Sequence, residues 1–218
     1  MKATMKNKRI GLLAFVIAGI VVVAGGMVGL LIVLNRGEIT YWQAYYPQYP
    51  NVSQAVKASD VVVTGMPVGS HEEVEYPGGD TESGTEVDNP QKGVKESELH
   101  SEDLAVPRTI TRIKVTRAIK GSVREGQVIE VAQIGGKLGR SVVREQGVAL
   151  LQDAADTHEG KQLLLLLSAH PGKAYDAINP QSGMLLVGSK GNVTGINAAS
   201  VRSLSTESTL DEYYRAAK

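Results

Sequence analysis

An uncharged apolar stretch, Ile10 to Leu34, limits the fold of this chain more than any other feature of its sequence. As an α-helix it would be roughly 37 Å long, and the hydrocarbon core of a bilayer is about 30 Å thick. The residues before it include four cations and no acidic residue: Lys2, Lys6, Lys8 and Arg9. By the positive-inside rule we predict a transmembrane helix over residues 10–34, a cytoplasmic basic tip over residues 1–9, and an extracytoplasmic region from residue 35 onward.

Two features of this stretch leave alternatives open. The residues at 22–24, Val-Val-Ala, stand before Gly25 and make a small-residue cleavage site of the kind that ends a signal peptide. Cleavage there would leave the apolar residues 27–34 at the new N-terminus, so a retained anchor is the simpler interpretation. Gly25 and Gly29 also have the small-xxx-small spacing with which membrane helices dimerise.

Half of the aromatic residues of the chain lie in a leader over residues 35–51. They are Tyr41, Trp42, Tyr45, Tyr46 and Tyr49. One interpretation is an interfacial belt at the level of the lipid headgroups, where Tyr and Trp are enriched. The alternative is a stacking surface for the sugar rings of cell-wall glycan. The prolines at 47 and 50 favour the first, because they make the leader stiff and extended rather than a shaped pocket.

The composition excludes several classes of protein. The chain has no cysteine, and therefore neither a disulfide framework nor a thiolate site for catalysis or metal binding. Lys and Arg together number 23, as do Asp and Glu, so the formal net charge is zero. We therefore expect no nucleic-acid partner, because nothing global draws the chain toward a polyanion.

The pattern over residues 52–218 predicts one mainly β domain. Val52 to Ala58 has the apolar spacing of a short helix, and Asp60 to Gly65 follows with a β-branched run typical of a buried strand. Thr109 to Lys120 alternates as a half-buried strand does. Further short strands, separated by glycine, proline or asparagine, are predicted at 128–134, 148–151, 163–167, 175–178, 184–187 and 193–196.

Two local signals refine this outline. Gly135-Gly136 is predicted to close its strand with a bend or a bulge. Near the end of the chain, Thr209-x-x-Glu212 has the form of a capping box, and apolar residues at helical spacing follow it. The outline is therefore a small antiparallel barrel or sandwich with one short C-terminal helix.

An acidic segment, residues 70–106, interrupts the pattern. It holds eleven acidic residues against Lys92 and Lys95, a local net charge of −9, with few apolar positions. The acidic residues lack the order and the final glutamate of an EF-hand calcium loop. We predict that this segment is disordered, because it has few apolar residues and a high net charge. A surface insertion of this length is tolerated, because the entropy of loop closure grows slowly with length.

The order of the strands resembles that of an uncharacterised family of secreted or membrane-anchored bacterial β-barrel proteins. The resemblance is carried by the segments 58–65, 113–121, 129–136, 160–167 and 180–185. The arrangement is also loosely similar to the netrin-like relatives of the OB-fold, which usually carry disulfides where this chain has none. The resemblance implies a small OB-like or netrin-like antiparallel barrel with a side helix, and it implies no reaction.

No motif in the sequence predicts catalysis. The histidines, at 71, 100, 158 and 170, lack the paired helical spacing of a zinc metallopeptidase. No Gly-x-Ser-x-Gly turn is present, and neither a phosphate loop nor a dinucleotide loop has its full pattern. A polar cluster could still form from residues that are distant in sequence. The candidates for such a cluster are Asp60, Arg112, Arg140 and Arg144. Tyr175 is the one aromatic residue available for stacking on the barrel. We therefore expect no cofactor, no metal and no enzymatic activity.

These observations favour a single-pass membrane protein whose extracytoplasmic β domain acts as a protein-interaction module of the cell envelope. The alternative is a cell-wall glycan-binding module that uses the aromatic leader. An enzyme of unknown reaction is the third hypothesis. The candidate ligand or interface residues for either binding function are Tyr41, Trp42, Tyr45, Tyr46, Tyr49 and Tyr175.

Overall fold

The computed structural model describes residues 38–76, 92–95, 98, 104–153, 162–196 and 208–218. The stretch predicted to cross the membrane, the basic tip and most of the acidic segment lie outside these residues. Among the helices that are described, none has both the length and the apolar character needed to cross a bilayer. Ile39–Lys218 forms one compact unit of the chain.

Nine strands and two helices lie entirely within the described part of this unit. In chain order they are β1 (Ile39–Trp42), α1 (Val52–Ala58), β2 (Val61–Glu75), β3 (Val106–Lys120), β4 (Val128–Leu138), β5 (Ser141–Glu145), β6 (Gln162–Ser168), β7 (Tyr175–Ala177), β8 (Met184–Val187), β9 (Val193–Gly195) and α2 (Leu210–Ala216). The prediction of a mainly β domain with a short C-terminal helix is confirmed.

Five of the strands form a closed cycle of hydrogen-bonded neighbours. β4 pairs with β3, β3 with β2, β2 with β6, β6 with β7, and β7 again with β4. All of these pairs are antiparallel except β4 with β7, which is parallel. Outside the cycle, β5 and then β1 extend from β4, and β8 and then β9 extend from β6.

The core lies on both faces of β6. Leu163, Leu165 and Leu167 belong to one buried cluster, together with residues of β2, β3, β4 and β8. Leu164 and Leu166 point the other way into a second cluster, which α1 and α2 cover. All five leucines are at most 1% exposed, so the leucine run is a central strand with both faces buried, as the sequence predicted.

The two helices are stabilised differently at their ends. The side chain of Asn51 caps α1 by accepting a hydrogen bond from the amide of Gln54 at 2.9 Å. At the other end of α1, Lys120 Nζ donates to the carbonyls of Val56 at 2.8 Å and Ser59 at 2.6 Å. Thr209 is the N-cap residue of α2, as predicted, but its side chain makes no capping hydrogen bond. The predicted start of the helix is therefore correct, and the predicted capping hydrogen bond is absent.

The acidic segment predicted as a loop from residue 70 is in part a β-hairpin. β2 continues through Glu75, and β3 begins at Val106, with Glu73 opposite Arg108 in the register. The acidic side chains of β2 after residue 71 face solvent, or Arg108 in the case of Glu75, so pairing with β3 leaves no buried charge alone. The prediction of disorder was therefore wrong for residues 70–75.

Two other local predictions were also wrong, and two strands were missed. Gly135 and Gly136 do not end β4, because their φ angles of 136° and 135° keep an extended backbone that only glycine adopts readily, and the strand continues against β5. Val148–Leu151 is not a strand, since the side chain of Gln133 binds its backbone instead, at Ala149 O and Leu151 N. β1 and β5 were not predicted at all.

Candidate functional site

A cavity of about 390 Å³ opens where β2, β3, β4 and β7 meet the leader. Its apolar wall consists of Val106, Ala132, Ile134, Ala177 and Pro180, and its polar groups belong to Tyr46, Glu75, Arg108, Gln133 and Asp176. Volume and lining are in the range of small-molecule pockets, which are mostly apolar with a few convergent polar groups.

The polar end of this cavity is a network of ion pairs around Arg108. One guanidinium nitrogen contacts Glu75 and the other contacts Asp176. Lys173 Nζ lies 2.7 Å from the second oxygen of Glu75, and His170 Nε2 lies 3.1 Å from the second oxygen of Asp176. Because Arg108 is mostly buried and meets one carboxylate on each side, its charge is already compensated within the protein.

The network also fixes the ionisation of Glu75. The hydrogen bond from Lys173 is the largest cause that lowers the pKa of Glu75, and the contacts with Arg108 add to it. Partial burial of the carboxyl raises its pKa, but this effect is smaller than the combined lowering by Lys173 and Arg108. Glu75 is therefore a carboxylate well into the acid range.

A second carboxyl, that of Glu145, lies beside the cavity in a different environment. Glu145 is 4% exposed, and neither of its oxygens has a hydrogen-bond partner of ordinary geometry in the part of the chain that the structure describes. It ends β5, where it pairs with Trp42 of β1. Burial raises the pKa of Glu145, because the charged form loses its hydration.

Tyr46 stands between Glu145 and the cavity. Its hydroxyl is near enough to the carboxyl to lower the pKa of Glu145 in part. In return, burial first and the negative charge of Glu145 second raise the pKa of Tyr46 above its usual range. The phenol therefore stays protonated at physiological pH, and it serves as a hydrogen-bond donor and not as a nucleophile.

A second candidate site is the outer edge of β1. The carbonyl of Trp42 accepts from the amide of Gln146 at 2.8 Å, so the main-chain groups of Trp42 face β5. Because these groups alternate sides along a strand, those of Thr40 face β5 as well, and those of Ile39 and Tyr41 face outward. The outward groups have no partner among the residues that the structure describes.

The side chains along this edge are exposed and apolar. Ile39 is 57% exposed, Tyr41 66% and Tyr45 89%, which makes Tyr45 the most exposed large apolar side chain that the structure describes. The residues of β1 itself carry no charge. Natural edge strands are usually protected by charges, prolines or bulges, and β1 has none of these.

The predicted binding residues separate into distinct groups. Tyr41 is exposed on the edge strand β1, Tyr45 is exposed in the segment that follows β1, and Tyr46 lines the cavity. Trp42 is half-buried in β1, and Tyr49 is half-buried against the cluster beneath α1 and α2. Tyr175 packs against the first core cluster, on a shallow depression that it shares with Lys173 and residues 127–130. The leader is held to the domain by a hydrogen bond from Asn179 Nδ2 to the carbonyl of Pro47 at 2.9 Å.

The charged residues selected from the sequence do not form a site. Asp60 accepts a hydrogen bond from the amide of Ala169 at 2.9 Å, which fixes the end of β6. Arg112 and Arg140 are exposed, and Arg144 lies opposite Tyr41 in the register of β1 with β5.

Sequence reasoning missed Arg108 and Glu145. A signal for Glu145 was present in the sequence Ser-Val-Val-Arg-Glu, where an alternating strand places the glutamate on the same face as Val143. The partners of Arg108 lie far away in sequence, at Glu75 and Asp176, so no local pattern pointed to that residue.

Among the described residues, no group of three His, Cys, Asp or Glu side chains has the arrangement of a metal site. No protein-family model matches the sequence, and no curated protein is significantly similar to it.

Proposed function

We propose that the β domain is an OB-like barrel, held outside the cell by a membrane helix over residues 10–34. The cyclic pairing of β2, β3, β4, β7 and β6 supports the barrel, and so does its single parallel contact between β4 and β7. The core cluster shared by β2, β3, β4 and β6 would then fill the interior. The anchor is supported by the hydropathy of the sequence and its flanking cations.

We further propose that this domain is a non-catalytic protein-interaction module and that its binding surface is the outer edge of β1. The observation that carries the proposal is the unpaired edge at Ile39 and Tyr41, whose exposed side chains are apolar. An extended segment of a partner protein would add to this edge as a further strand, with main-chain hydrogen bonds giving affinity and the side chains giving specificity.

The cavity fits this proposal better than it fits an enzyme. Arg108, Glu75 and Asp176 neutralise one another, and the Tyr46 phenol shields the Glu145 carboxyl. A site whose charged groups are already paired has little left to stabilise a developing charge in a transition state. We therefore assign these groups to holding the leader and β1 against the domain.

The test compares two substitutions at the same position. Tyr41→Pro removes the outward N–H and costs no hydrogen bond to β5, whereas Tyr41→Val keeps the N–H and is a good strand former. The full-length chain, carrying an epitope tag, is crosslinked in intact cells. We expect Tyr41→Pro to lose the protein adducts and Tyr41→Val to retain most of them. Equal adducts from the wild-type chain and Tyr41→Pro would refute binding at the edge.

A second candidate function, binding of cell-wall glycan, is favoured by the exposure of two rings. Tyr41 and Tyr45 present most of their surface to solvent, as stacking on a sugar requires. The double variant Tyr41→Val with Tyr45→Val removes both rings and keeps the strand edge. Under the glycan hypothesis this variant no longer sediments with purified cell wall, whereas strand addition predicts that its protein adducts persist.

A further inference from the structure

We infer that the partner of β1 is a second copy of this chain, and that the two β1 strands pair antiparallel across a two-fold axis at Thr40. This inference rests on the proposed use of the β1 edge for binding. It names the partner and fixes the register of the contact.

The hydrogen-bonding groups of the edge are complementary to themselves. The main-chain N–H and C=O groups of Ile39 and Tyr41 face outward, and those of Thr40 between them face β5. When two such strands run antiparallel with their Thr40 residues opposite, Ile39 of each copy meets Tyr41 of the other as a hydrogen-bonded pair. Each copy then uses both of its outward N–H groups and both of its outward C=O groups. A shift by one residue would bring inward-facing groups to the contact and would lose these bonds.

The side chains match in the same register. Ile39 and Tyr41 lie on one face of β1 and are more than half exposed, so each isoleucine would pack against the tyrosine ring of the other copy. Pairs of an aromatic with a β-branched residue are among the favourable cross-strand contacts of antiparallel sheets. The one charged residue next to the strand, Glu38, would lie opposite Trp42 of the second copy, so no like charges meet.

The position of β1 in the chain favours a partner at the same height above the membrane. The predicted membrane helix ends at Leu34, and the chain from there to Ile39 reaches at most roughly 17 Å. A second copy holds its own β1 within the same reach. Gly25 and Gly29 also have the small-xxx-small spacing with which two membrane helices dimerise.

The chain has no cysteine, so a single introduced cysteine reports the contact cleanly. In the proposed register the two Thr40 residues form a non-hydrogen-bonded pair, whose Cα atoms lie about 4.5 Å apart and within disulfide range. We would express full-length Thr40→Cys in cells and treat the membranes with a mild oxidant. Thr194→Cys is the matched control, because Thr194 is an exposed threonine in another strand, β9.

We expect Thr40→Cys to form a reducible dimer at least about tenfold more efficiently than Thr194→Cys, because only the former brings two thiols within bonding distance. Adding Tyr41→Pro to Thr40→Cys should abolish the dimer, and circular dichroism of the purified chain would verify that the variant is folded. Equal dimer from Thr40→Cys and Thr194→Cys would overturn the inference. If the wild-type chain nevertheless forms adducts that Tyr41→Pro removes, β1 binds a different protein, and the proposed function stands without the second copy. If those adducts are also absent, both proposals fail.

Discussion

Replacing the buried carboxyl of Glu145 should change how the stability of this protein depends on pH. In the folded chain burial raises the pKa of Glu145 above its ordinary value of 4.5. An unfolded chain therefore releases this proton at lower pH than the folded chain does. The contribution of the protonated Glu145 to the free energy of unfolding is fully present below pH 4.5. It decreases as the pH rises toward the pKa of the folded state, and above that pKa it no longer changes. Within that window the free energy of unfolding decreases by up to about 1.4 kcal/mol per pH unit.

Glu145→Gln removes this titration and keeps the shape of the side chain. A buried polar group without a partner costs about 1–3 kcal/mol, and more when it is charged. Because Gln never ionises, the variant should be more stable than the wild-type chain by about 1 kcal/mol at neutral pH, which corresponds to about 2–4 °C in Tm for a chain of this size. As the pH falls below 4.5 the difference should disappear, because Glu145, whose pKa is raised, becomes neutral as well.

The chain carries its own probe for this experiment. Trp42 is its one tryptophan, and it pairs with Glu145 in the register of β1 with β5. Thermal unfolding of the full-length protein in detergent, followed by tryptophan fluorescence at several pH values, gives the stability of both chains. Glu130→Gln, a change at an exposed carboxyl on β4, is the matched control. The reasoning is refuted if Glu145→Gln retains the wild-type slope.

Three further substitutions test the packing and the ion network. Lys120→Met removes the ammonium that caps the end of α1 and should cost about 1–2 kcal/mol in a denaturant titration, so an unchanged midpoint would contradict the capping role. Gly65→Ala places a Cβ 2.5 Å from the Cγ2 atom of Ile113, so we expect destabilisation of about 1–3 kcal/mol, and a neutral result would mean that β2 and β3 separate easily. Lys173→Met should raise the pKa of Glu75 toward its usual range, because the Lys173 hydrogen bond is the main cause of its lowering. When the pH is lowered, the variant should therefore begin to lose stability at a higher pH than the wild-type chain does. If carboxyl NMR detects no change in the pKa of Glu75, the contact with Lys173 is excluded.

The elements that the sequence predicted well are those whose pattern depends on burial. The leucine run is a central strand, Met184–Val187 has the predicted bounds, and Val52–Ala58 is a helix. Each of these segments has an apolar pattern that can be buried in only one kind of secondary structure. Two short strands were missed. β1 and β5 are short, half-exposed and mixed in composition, so their pairing depends on partners and not on periodicity.

The site was predicted only in part, for a related reason. The aromatic leader marked Tyr41 and Tyr46 as candidates, but nothing local distinguished an exposed ring from one that shields a carboxyl. The ion pairs of Arg108 join residues from β2, β3 and β7, and such contacts arise from topology. The acidic run misled the prediction at Glu72 to Glu75, because strand pairing outweighed the low β propensity of glutamate there.

The most direct test of binding at the β1 edge is site-specific photocrosslinking in living cells. A benzoylphenylalanine residue replaces Tyr41 in one variant and Val128 in the other, since Val128 is also exposed, at 50%, but lies in β4 away from the edge. We predict discrete protein adducts from position 41 and none from position 128. Equal adducts from both positions, or none from position 41, would contradict the assignment of β1 as the binding surface.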